Sequence, residues 1–300
     1  MATTKPIRER IQALKEEYAR IKKGKDSLLT LLDEAELPEA VYNSNAIENS
    51  TLTLKETERI LLEQEVDRDV SVREVFEAKN LARVSEYIRT KALESEISKD
   101  TMLLLHQMLI GGINDSIAGR FRREGEYVRI GTHVAPAPEH LERMLESLLT
   151  DYANDHESYD IDAIARFHLE FEHIHPFNDG NGRIGRVLIN WQLLRHGFPS
   201  IIIRDKEKQV YYRAFGEYRD SQKKRSNQME RVLTLTLMES LHKRLAYLHG
   251  GEIVTLAAYA KQKDASLPAL TNAARRQTIP AFRERGVWKI ESKFVDSRSV

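Results

Sequence analysis

Hydrophobic residues recur at every third or fourth position through most of this 300-residue chain, and few segments alternate in the manner of β-strands. This period places the apolar side chains of a segment on one face of an α-helix. One such stripe consists of Ile7, Ile11, Leu14, Tyr18 and Ile21. We interpret it as a helix packed on the chain's own core, with a short coiled-coil seam as the alternative. The pattern predicts a mainly α-helical fold.

Shorter patterns predict where individual elements begin. Thr53 and Glu56 have the spacing of a capping box, which predicts a helix start. Residues 126–134 mix β-branched and aromatic side chains around a glycine, so we expect a hairpin or an extended flap there. Helical periodicity resumes over residues 141–149 and 161–173.

The last fifty residues have the pattern of a separate small domain, with a boundary expected at Gly250 and Gly251. The elements predicted beyond this boundary are a helix over 255–262, a turn over 265–268, a helix over 271–285 with Pro280 late in it, and a strand over 286–290. This order resembles a winged helix-turn-helix. We therefore expect a small winged-helix-like domain over residues 250–300.

Composition limits the classes of function and location. The 46 Lys and Arg residues balance 46 Asp and Glu residues, so no global field attracts nucleic acid or membrane. The sequence contains no Cys, which excludes disulfides, thiolate nucleophiles and Cys-ligated zinc. The first twenty residues are charged, unlike a signal peptide, and apolar runs such as residues 201–203 are too short to span a bilayer. We expect a cytoplasmic protein without membrane partners.

The most informative segment lies between two amphipathic helical stretches and reads His175-Pro176-Phe177-Asn178-Asp179-Gly180-Asn181-Gly182-Arg183-Ile184-Gly185-Arg186. Gly180 and Gly182 permit a tight turn whose N–H groups, beside a helix start, form a cradle for an anion. Arg183 and Arg186 lie three residues apart on the first turn of that helix, so both reach the cradle. Cations there oppose the helix dipole, and a bound phosphate would remove the conflict.

Two further side chains of this segment suit phosphate chemistry. His175 carries an imidazole, which can accept the proton of a hydroxyl group. Asp179, beside phosphates, can bind Mg²⁺ through its hard oxygen atoms. Each feature alone has an ordinary interpretation, as a helix-end histidine, a turn or solvated arginines. Their combination indicates a phosphate-binding catalytic site.

The pattern His-x-Phe-x-Asp-Gly-Asn-Gly-Arg-x-x-Arg over residues 175–186 resembles the signature of Fic-domain proteins at all eight specified positions. Residues 119–138 are similar to the flap region of that family. Residues 211–215 are similar to the segment that helps form the family's nucleobase pocket. Together the resemblance covers roughly residues 40–220, about the size of a domain.

The resemblance implies a Fic-type helical core with a β-hairpin flap, and the activity of a protein adenylyltransferase. His175 would deprotonate a Ser, Thr or Tyr hydroxyl of a target protein, whose oxygen attacks the α-phosphorus of ATP and releases pyrophosphate. The implied cofactors are ATP and Mg²⁺, with Asp179 as the metal ligand. The implied nucleotide-binding residues are Gly180, Asn181 and Gly182 through their N–H groups, Arg183 and Arg186 on the phosphates, and Tyr211 and Tyr212 near the nucleobase. The flap, represented by Val128, Ile130 and Gly131, would bind an extended stretch of the target by strand addition.

The segment Ser44-Asn45-Ala46-Ile47-Glu48-Asn49 has the form [Ser/Thr]-x-x-x-Glu-[Gly/Asn], which by itself describes many solvated helix pairs. It resembles the inhibitory helix of autoinhibited Fic proteins, so we expect an inhibitory helix near residues 40–49 with Ser44 and Glu48 as its functional residues. The resemblance implies that Glu48 pairs with Arg186 and occupies the arginine that the γ-phosphate needs. A role of Glu48 in removing AMP from the target stays open.

Three alternatives accompany this interpretation. A zinc site built from His168, His173, His175 and Asp179 is disfavoured, because the His-Glu-x-x-His pattern is absent from the sequence and the two arginines would face a cation. A Fic relative could instead remove AMP or transfer another phosphate-containing group. A DNA-binding regulator is the third, because residues 261–300 carry nine basic against four acidic residues, a local excess of five.

The expected organisation is an N-terminal helical region over residues 1–95, a Fic catalytic core over 96–232 and the winged-helix-like domain over 250–300. The expected partners are a protein substrate carrying a hydroxyl group, the chain itself through self-modification, a second copy in a homodimer, and DNA through the C-terminal domain.

Overall fold

The computed structural model describes residues 3–131, 133–222 and 224–295. The chain divides into two compact units. The core unit comprises Leu37–His196 and Ile202–Val232, and the terminal unit comprises Thr3–Glu36, Gly197–Ile201 and Leu233–Val300. In this division the residues before Leu37 group with the C-terminal segment, and the three ranges expected from the sequence stay predictions.

Helices dominate the described part of the chain, which confirms the predicted fold class. The helices α1 to α12 are Lys5–Ile21, Asp26–Ile47, Leu54–Leu61, Val72–Lys91, Lys99–Ile110, Leu141–Asn154, Asp160–Ile174, Asn181–Arg195, Lys208–Asp220, Asn227–His249, Leu256–Gln262 and Leu267–Arg275. The strands β1 to β5 are Arg129–Ile130, His133–Val134, Ile253–Thr255, Phe282–Glu284 and Val287–Glu291. Short 3₁₀ turns occupy Pro138–His140 and Asp205–Glu207. Within the ranges that the structure describes, no helix combines the length and the apolar character needed to cross a bilayer.

Two N-terminal predictions are confirmed by the local structure. The apolar stripe of the first segment forms α1, which buries Ile11 and Tyr18. The capping box forms at the start of α3, where the Thr53 hydroxyl accepts the Glu56 N–H at 3.2 Å. The Glu56 carboxylate in turn accepts the Thr53 N–H at 2.7 Å. This reciprocal pair satisfies two N–H groups that a helix start otherwise leaves without partners.

The core unit is built around α7 and α8, which pack against each other, while α4 packs on both α5 and α8. Phe171 and Ile174 of α7 and Ile184 and Leu188 of α8 are buried in the shared hydrophobic core. Full burial of side chains of this size contributes roughly 1.5–3 kcal/mol each. Because α7 ends at Ile174 and α8 begins at Asn181, this packing fixes both ends of the loop between them.

The flap of the core unit is a short antiparallel hairpin, as the sequence predicts. Arg129 pairs with Val134 and Ile130 pairs with His133. The side chains of Ile130 and Val134 are exposed. The flap therefore presents apolar side chains and strand backbone to solvent.

The terminal unit contains an antiparallel sheet with the strand order β3-β5-β4, together with α11 and α12. Its small hydrophobic core includes Leu256, Tyr259, Ala274, Ile279 and Ile290. The described order is strand, helix, helix, strand, strand, so the predicted elements of a helix-turn-helix and a C-terminal strand are present.

The predicted bounds of the second helix in this segment are wrong. The helix α12 covers Leu267–Arg275 and not residues 271–285, and the end of the predicted helix forms β4. Ser266 caps α12, with its hydroxyl accepting the Ala269 N–H at 3.4 Å, and a proline occupies the first turn. Proline suits that position because its missing N–H would have no helical partner there, so the residues predicted as a turn start the helix instead.

Candidate active site

His175 stands at the C-terminal end of α7, where the chain leaves the helix. Its backbone is left-handed, with φ 50° and ψ 62°, and its N–H donates to the carbonyl oxygen of Phe171 at 2.9 Å. The left-handed residue ends the helix and turns the chain into the loop that follows. The His175 side chain is 15% exposed and lines a cavity of about 580 Å³. The end of α7 thus places the side chain of His175, the candidate base, at a cavity.

The loop between α7 and α8 is held by buried side chains. The His106 ring stacks on Phe177 with their centroids 3.8 Å apart, and His106 Nε2 lies 3.0 Å from the carbonyl oxygen of Asp179. The Gly119 N–H donates to His106 Nδ1 at 3.0 Å. The Asn181 amide accepts the Phe177 N–H at 2.9 Å and donates to the Phe177 carbonyl at 2.8 Å. The Asn181 side chain therefore shapes the loop, in addition to the N–H role expected for this residue.

Burial lowers the pKa of His106 to about 4 and that of His168 to about 4 as well. The pKa of a histidine in an unfolded chain is about 6.5. Between pH 4 and 6.5 the unfolded state therefore binds more protons than the folded state. The contribution of these neutral imidazoles to stability is therefore complete above pH 6.5 and is lost as the pH falls towards 4. We expect the free energy of unfolding to fall by about 1–2 kcal/mol per histidine from pH 7 to pH 5. Urea unfolding at both pH values measures the change, His106→Gln should reduce it, and equal stability at the two values would contradict it.

Arg122 is buried beneath the loop and binds four carbonyl oxygens. Its guanidinium donates to His175 at 2.8 Å, to Ile174 at 3.2 Å, to Pro136 at 2.9 Å and to Glu126 at 3.0 Å. Burial lowers the pKa of this guanidinium from its ordinary value, but not enough to remove the charge at neutral pH. One cation thus ties the end of α7 to both sides of the flap.

We expect Arg122→Met to lower the free energy of unfolding by about 3 kcal/mol, because it leaves several buried carbonyl oxygens without donors. Chemical denaturation of the purified variant measures this loss. Arg123→Met, at the neighbouring exposed position, is the matched control and should change stability by less than about 0.5 kcal/mol. An Arg122→Met protein as stable as its control would show that these bonds contribute little.

Arg186 of α8 contacts the segment that resembles an inhibitory helix. Its Nη2 lies 2.8 Å from Glu48 Oε1 and donates to the Ser44 carbonyl oxygen at 2.8 Å, and its Nε donates to the Ser44 hydroxyl at 2.9 Å. Burial by itself lowers the pKa of Arg186, but the charge of Glu48 outweighs it and raises the pKa. The ion pair that the resemblance implies is therefore present in the structure.

The backbone geometry around Glu48 explains why this contact is so close. Ser44 lies in the last turn of α2, and Glu48 follows the end of that helix. Asn49 is left-handed, with φ 68°, a conformation that asparagine tolerates at a helix end. A Cβ atom added to Gly182 would lie 2.1 Å from Glu48 Oε1. A glycine at this position of α8 is thus required for Glu48 to reach Arg186.

Asp179 and Arg183 belong to a charged network with α4. Arg183 is buried and binds Glu77 at 3.1 Å and Asp179 Oδ1 at 3.1 Å. Arg73 Nη2 lies 2.5 Å from Asp179 Oδ2. Burial by itself raises the pKa of Asp179, whereas Arg183 and Arg73 outweigh it and lower the pKa below its ordinary value. Both candidate phosphate- and metal-binding side chains are therefore paired with protein groups in this structure.

The cavity brings together predicted residues from four parts of the core unit. The predicted site residues that line it are His175, Gly182, Arg186, Glu48, Tyr211, Tyr212, Ile130 and Gly131. The predicted residues outside its lining are Ser44, Val128, Asp179, Gly180, Asn181 and Arg183. Gly180 is left-handed, with φ 84°, and caps α8, whose first N–H groups are those of residues 181–183.

The two tyrosines differ in accessibility. Tyr211 is buried, and its hydroxyl lies 2.8 Å from His168 Nε2, whereas the exposed Tyr212 hydroxyl donates to the Ile47 carbonyl oxygen at 2.6 Å. Burial raises the pKa of Tyr212 to about 12. Phe215 lines the same cavity. The aromatic segment therefore supplies one wall of the cavity, with Tyr212 as its more accessible ring.

The residues present fit a magnesium ion only together with a nucleotide. In the described ranges, no three His, Cys, Asp or Glu side chains are grouped closely enough to hold a metal ion by themselves. Magnesium in phosphoryl-transfer sites takes one or two carboxylates and completes its ligands with phosphates and water. The partly exposed carboxylate of Asp179 suits that arrangement.

The contacts of several residues that shape this site were not predicted from the sequence. Arg122, His106, Arg73 and Glu77 lie on other elements, and their partners are distant in the chain. The only local signal was His106, a polar residue within an otherwise apolar helical stretch.

Residues 96–193 match the model of the Fic/DOC family. The protein adenylyltransferase Fic of Nematostella vectensis is 34% identical over 177 residues, which cover 57% of this chain and 41% of the relative. The chain thus spans about two fifths of the length of this curated relative.

Solved structures extend the similarity in fold. A Fic domain containing signaling protein from Bacteroides thetaiotaomicron has a TM-score of 0.72 at 24% identity and covers 81% of this chain and 97% of that chain. A Fic family protein from Desulfovibrio desulfuricans has a TM-score of 0.68 at 21% identity and covers 98% of each chain. At these identities the comparison establishes the fold.

Proposed function

We propose, because residues 96–193 match the model of the Fic/DOC family, that this chain is a protein adenylyltransferase that transfers AMP from ATP to a Ser, Thr or Tyr hydroxyl of a protein. The observation that carries the proposal is that His175, Gly182 and Arg186 line one cavity beside the flap. The similarity to proteins named protein adenylyltransferase Fic supports it.

In this reaction His175 takes the proton of the target hydroxyl. The hydroxyl oxygen forms a bond to the α-phosphorus of ATP, the bond from that phosphorus to the β-phosphate oxygen breaks, and pyrophosphate leaves. The N–H groups of residues 180–182 face the phosphates at the start of α8, and Arg183 and Arg186 neutralise their charge. The protein thus contributes a base, alignment and charge stabilisation, which are the main requirements of phosphoryl transfer.

Asp179 would hold Mg²⁺ against the phosphates, and the ion would supply charge neutralisation there. For this, the Asp179 carboxylate must exchange its contact with Arg73, which lies at the partly exposed side of the network. Arg183 must likewise turn from Glu77 and Asp179 towards the nucleotide. The guanidinium groups of Arg73 and Arg183 are then available to the phosphates.

The Glu48–Arg186 ion pair supports autoinhibition. While Glu48 holds Arg186, the γ-phosphate lacks its arginine, and the α-phosphorus is displaced from the line of attack. The flap would bind an extended segment of the target through its strand backbone, with Ile130 and Gly131 at the cavity. Tyr212 would contact the nucleobase.

The test of this function is the identity of the transferred group. The Glu48→Gly protein is incubated with ATP, Mg²⁺ and a cell lysate, and modified peptides are identified by mass spectrometry. A mass increase of AMP on Ser, Thr or Tyr residues, on lysate proteins or on the chain itself, is the expected result. A different added group would identify a relative with another transfer reaction, and unmodified peptides from a folded protein that binds ATP would refute the proposal.

A second candidate role is DNA contact by the terminal unit. The helix α12 buries only Ala274 and ends in Arg275, which is followed by the exposed Arg276. The C-terminal end of α12 therefore carries two positive charges. A gel shift that weakens with added salt tests it, and no shift at low salt would remove it. Self-modification, homodimer formation and a cytoplasmic location stay predictions from the sequence.

A further inference from the structure

Glu172 lies on the last turn of α7, three residues before His175, and is almost buried beside it. Its side chain is 12% exposed, and its Oε2 atom lies 3.6 Å from His175 Nδ1. Among the residues that the structure describes, neither His175 Nδ1 nor Glu172 Oε1 has a hydrogen-bond partner. A buried carboxylate with one unpartnered oxygen, Oε1, therefore lies beside a buried ring nitrogen without a partner, and its other oxygen, Oε2, is separated from that nitrogen by slightly more than a hydrogen bond.

The facing helix leaves room for this carboxylate. A Cβ atom added to Gly185 of α8 would lie 2.6 Å from Glu172 Oε1 and 2.8 Å from His168 Cε1. Any other residue at position 185 would push the carboxylate or the ring away. The Glu172 side chain thus occupies a space that exists because α8 carries a glycine there.

The surroundings of Glu172 favour its charged form. Burial by itself raises the pKa of Glu172, but the contact with His175 and the cation of Arg186 outweigh it, so the pKa is lowered. Burial lowers the pKa of His168 to about 4 and raises that of Tyr211, so both are neutral at pH 7. Glu172 therefore carries a negative charge directly beside His175.

We propose that Glu172 is the positioning residue of His175, accepting a hydrogen bond from Nδ1–H so that the unprotonated Nε2 is the atom that takes the hydroxyl proton. The carboxylate also stabilises the imidazolium that forms when that proton arrives. This role rests on the proposed function of His175 as a base. In the ligand-free protein the carboxylate at 3.6 Å already favours the proton on Nδ1, and the contact shortens to a hydrogen bond as the reactants bind. Such tightening is common for catalytic hydrogen bonds of ligand-free enzymes.

The tautomer of His175 in the ligand-free protein tests the proposal without any activity. Nitrogen-15 NMR of histidine-labelled protein, with His175→Gln used to assign the signal, should show the proton on Nδ1 at pH 8. In Glu172→Gln, whose amide can donate to the ring, the population should move to the Nε2–H tautomer. A wild-type His175 that carries its proton on Nε2 overturns the proposal, even if the variant does not fold.

Kinetics then show whether the orientation matters for transfer. In the Glu48→Gly background, Glu172→Gln should lower kcat about 10²-fold and change the KM for ATP less than about threefold, since the base and not nucleotide binding is affected. Glu170→Gln is the matched control, because Glu170 lies on the same helix but contacts Tyr218 and Lys224. Unchanged kcat in Glu172→Gln overturns the positioning role.

The two experiments separate this inference from the proposed function. Absent AMP transfer in the Glu48→Gly protein, together with an Nδ1–H tautomer that depends on Glu172, refutes the transferase and keeps the histidine–carboxylate pair. Normal AMP transfer, together with a His175 tautomer that does not depend on Glu172, supports the transferase and refutes the positioning role of Glu172.

Discussion

Replacement of His175 by alanine is expected to lower the rate of AMP transfer by about 10³-fold or more, while ATP still binds. His175 is the histidine of residues 175–186, and it lines the same cavity as Gly182 and Arg186. Without its imidazole, the target hydroxyl must lose its proton to water, whereas the phosphate-binding groups remain in place. Initial rates with [α-³²P]ATP in the Glu48→Gly background measure the loss, and calorimetry measures ATP binding.

The matched control for this substitution is His140→Ala, an exposed histidine of the core unit that lies outside the cavity lining. It should transfer AMP at the parent rate. A His175→Ala protein that retains a tenth of the parent rate would show that another group is the base. Loss of ATP binding together with activity would instead point to a damaged loop.

The Glu48→Gly protein should transfer AMP roughly 10- to 100-fold faster than the wild type, because it frees a charge-assisted bond worth about 1.5–3 kcal/mol. Arg186 then meets the γ-phosphate, and the α-phosphorus can align with the attacking oxygen. Single-turnover rates of self-modification or of lysate labelling compare the two proteins. The rate of the isosteric Glu48→Gln protein should lie between the rates of these two proteins, since the substitution removes the charge and keeps the shape of the side chain.

Glu65→Gly is the control for this gain, because it makes the same exchange at an exposed loop position of the core unit. It should leave the rate at the wild-type level. Equal rates for wild type and Glu48→Gly would mean that the ion pair seen at 2.8 Å does not restrain catalysis.

The sequence predicted those parts of the site whose signals are local. The loop of residues 175–186 carries its glycines, arginines and histidine within one continuous segment, and capping and periodicity mark the helices on both sides. The pair of Glu48 and Arg186 came from a resemblance, since no spacing rule relates residues 138 positions apart.

The remaining parts depend on contacts that no local pattern encodes. Arg122 contacts residues up to 53 positions away, and Arg73 reaches Asp179 from 106 positions away. The bounds of α12 were wrong for another reason, because helical periodicity continues past Arg275 while Gln277 turns the chain with a left-handed backbone. Buried networks and backbone reversals of this kind are settled by tertiary packing.

The hydrogen bonds of Arg122 connect the residues that flank the flap hairpin with the end of α7. A peptide bound to the hairpin, as proposed, would be connected to His175 through the guanidinium of Arg122, which bonds to the carbonyl oxygens of His175, Glu126 and Pro136. A shift of the residues that flank the hairpin would therefore also shift the backbone of His175. Under the proposed function, this connection would hold the distance from the peptide backbone to His175 constant for targets of different sequence.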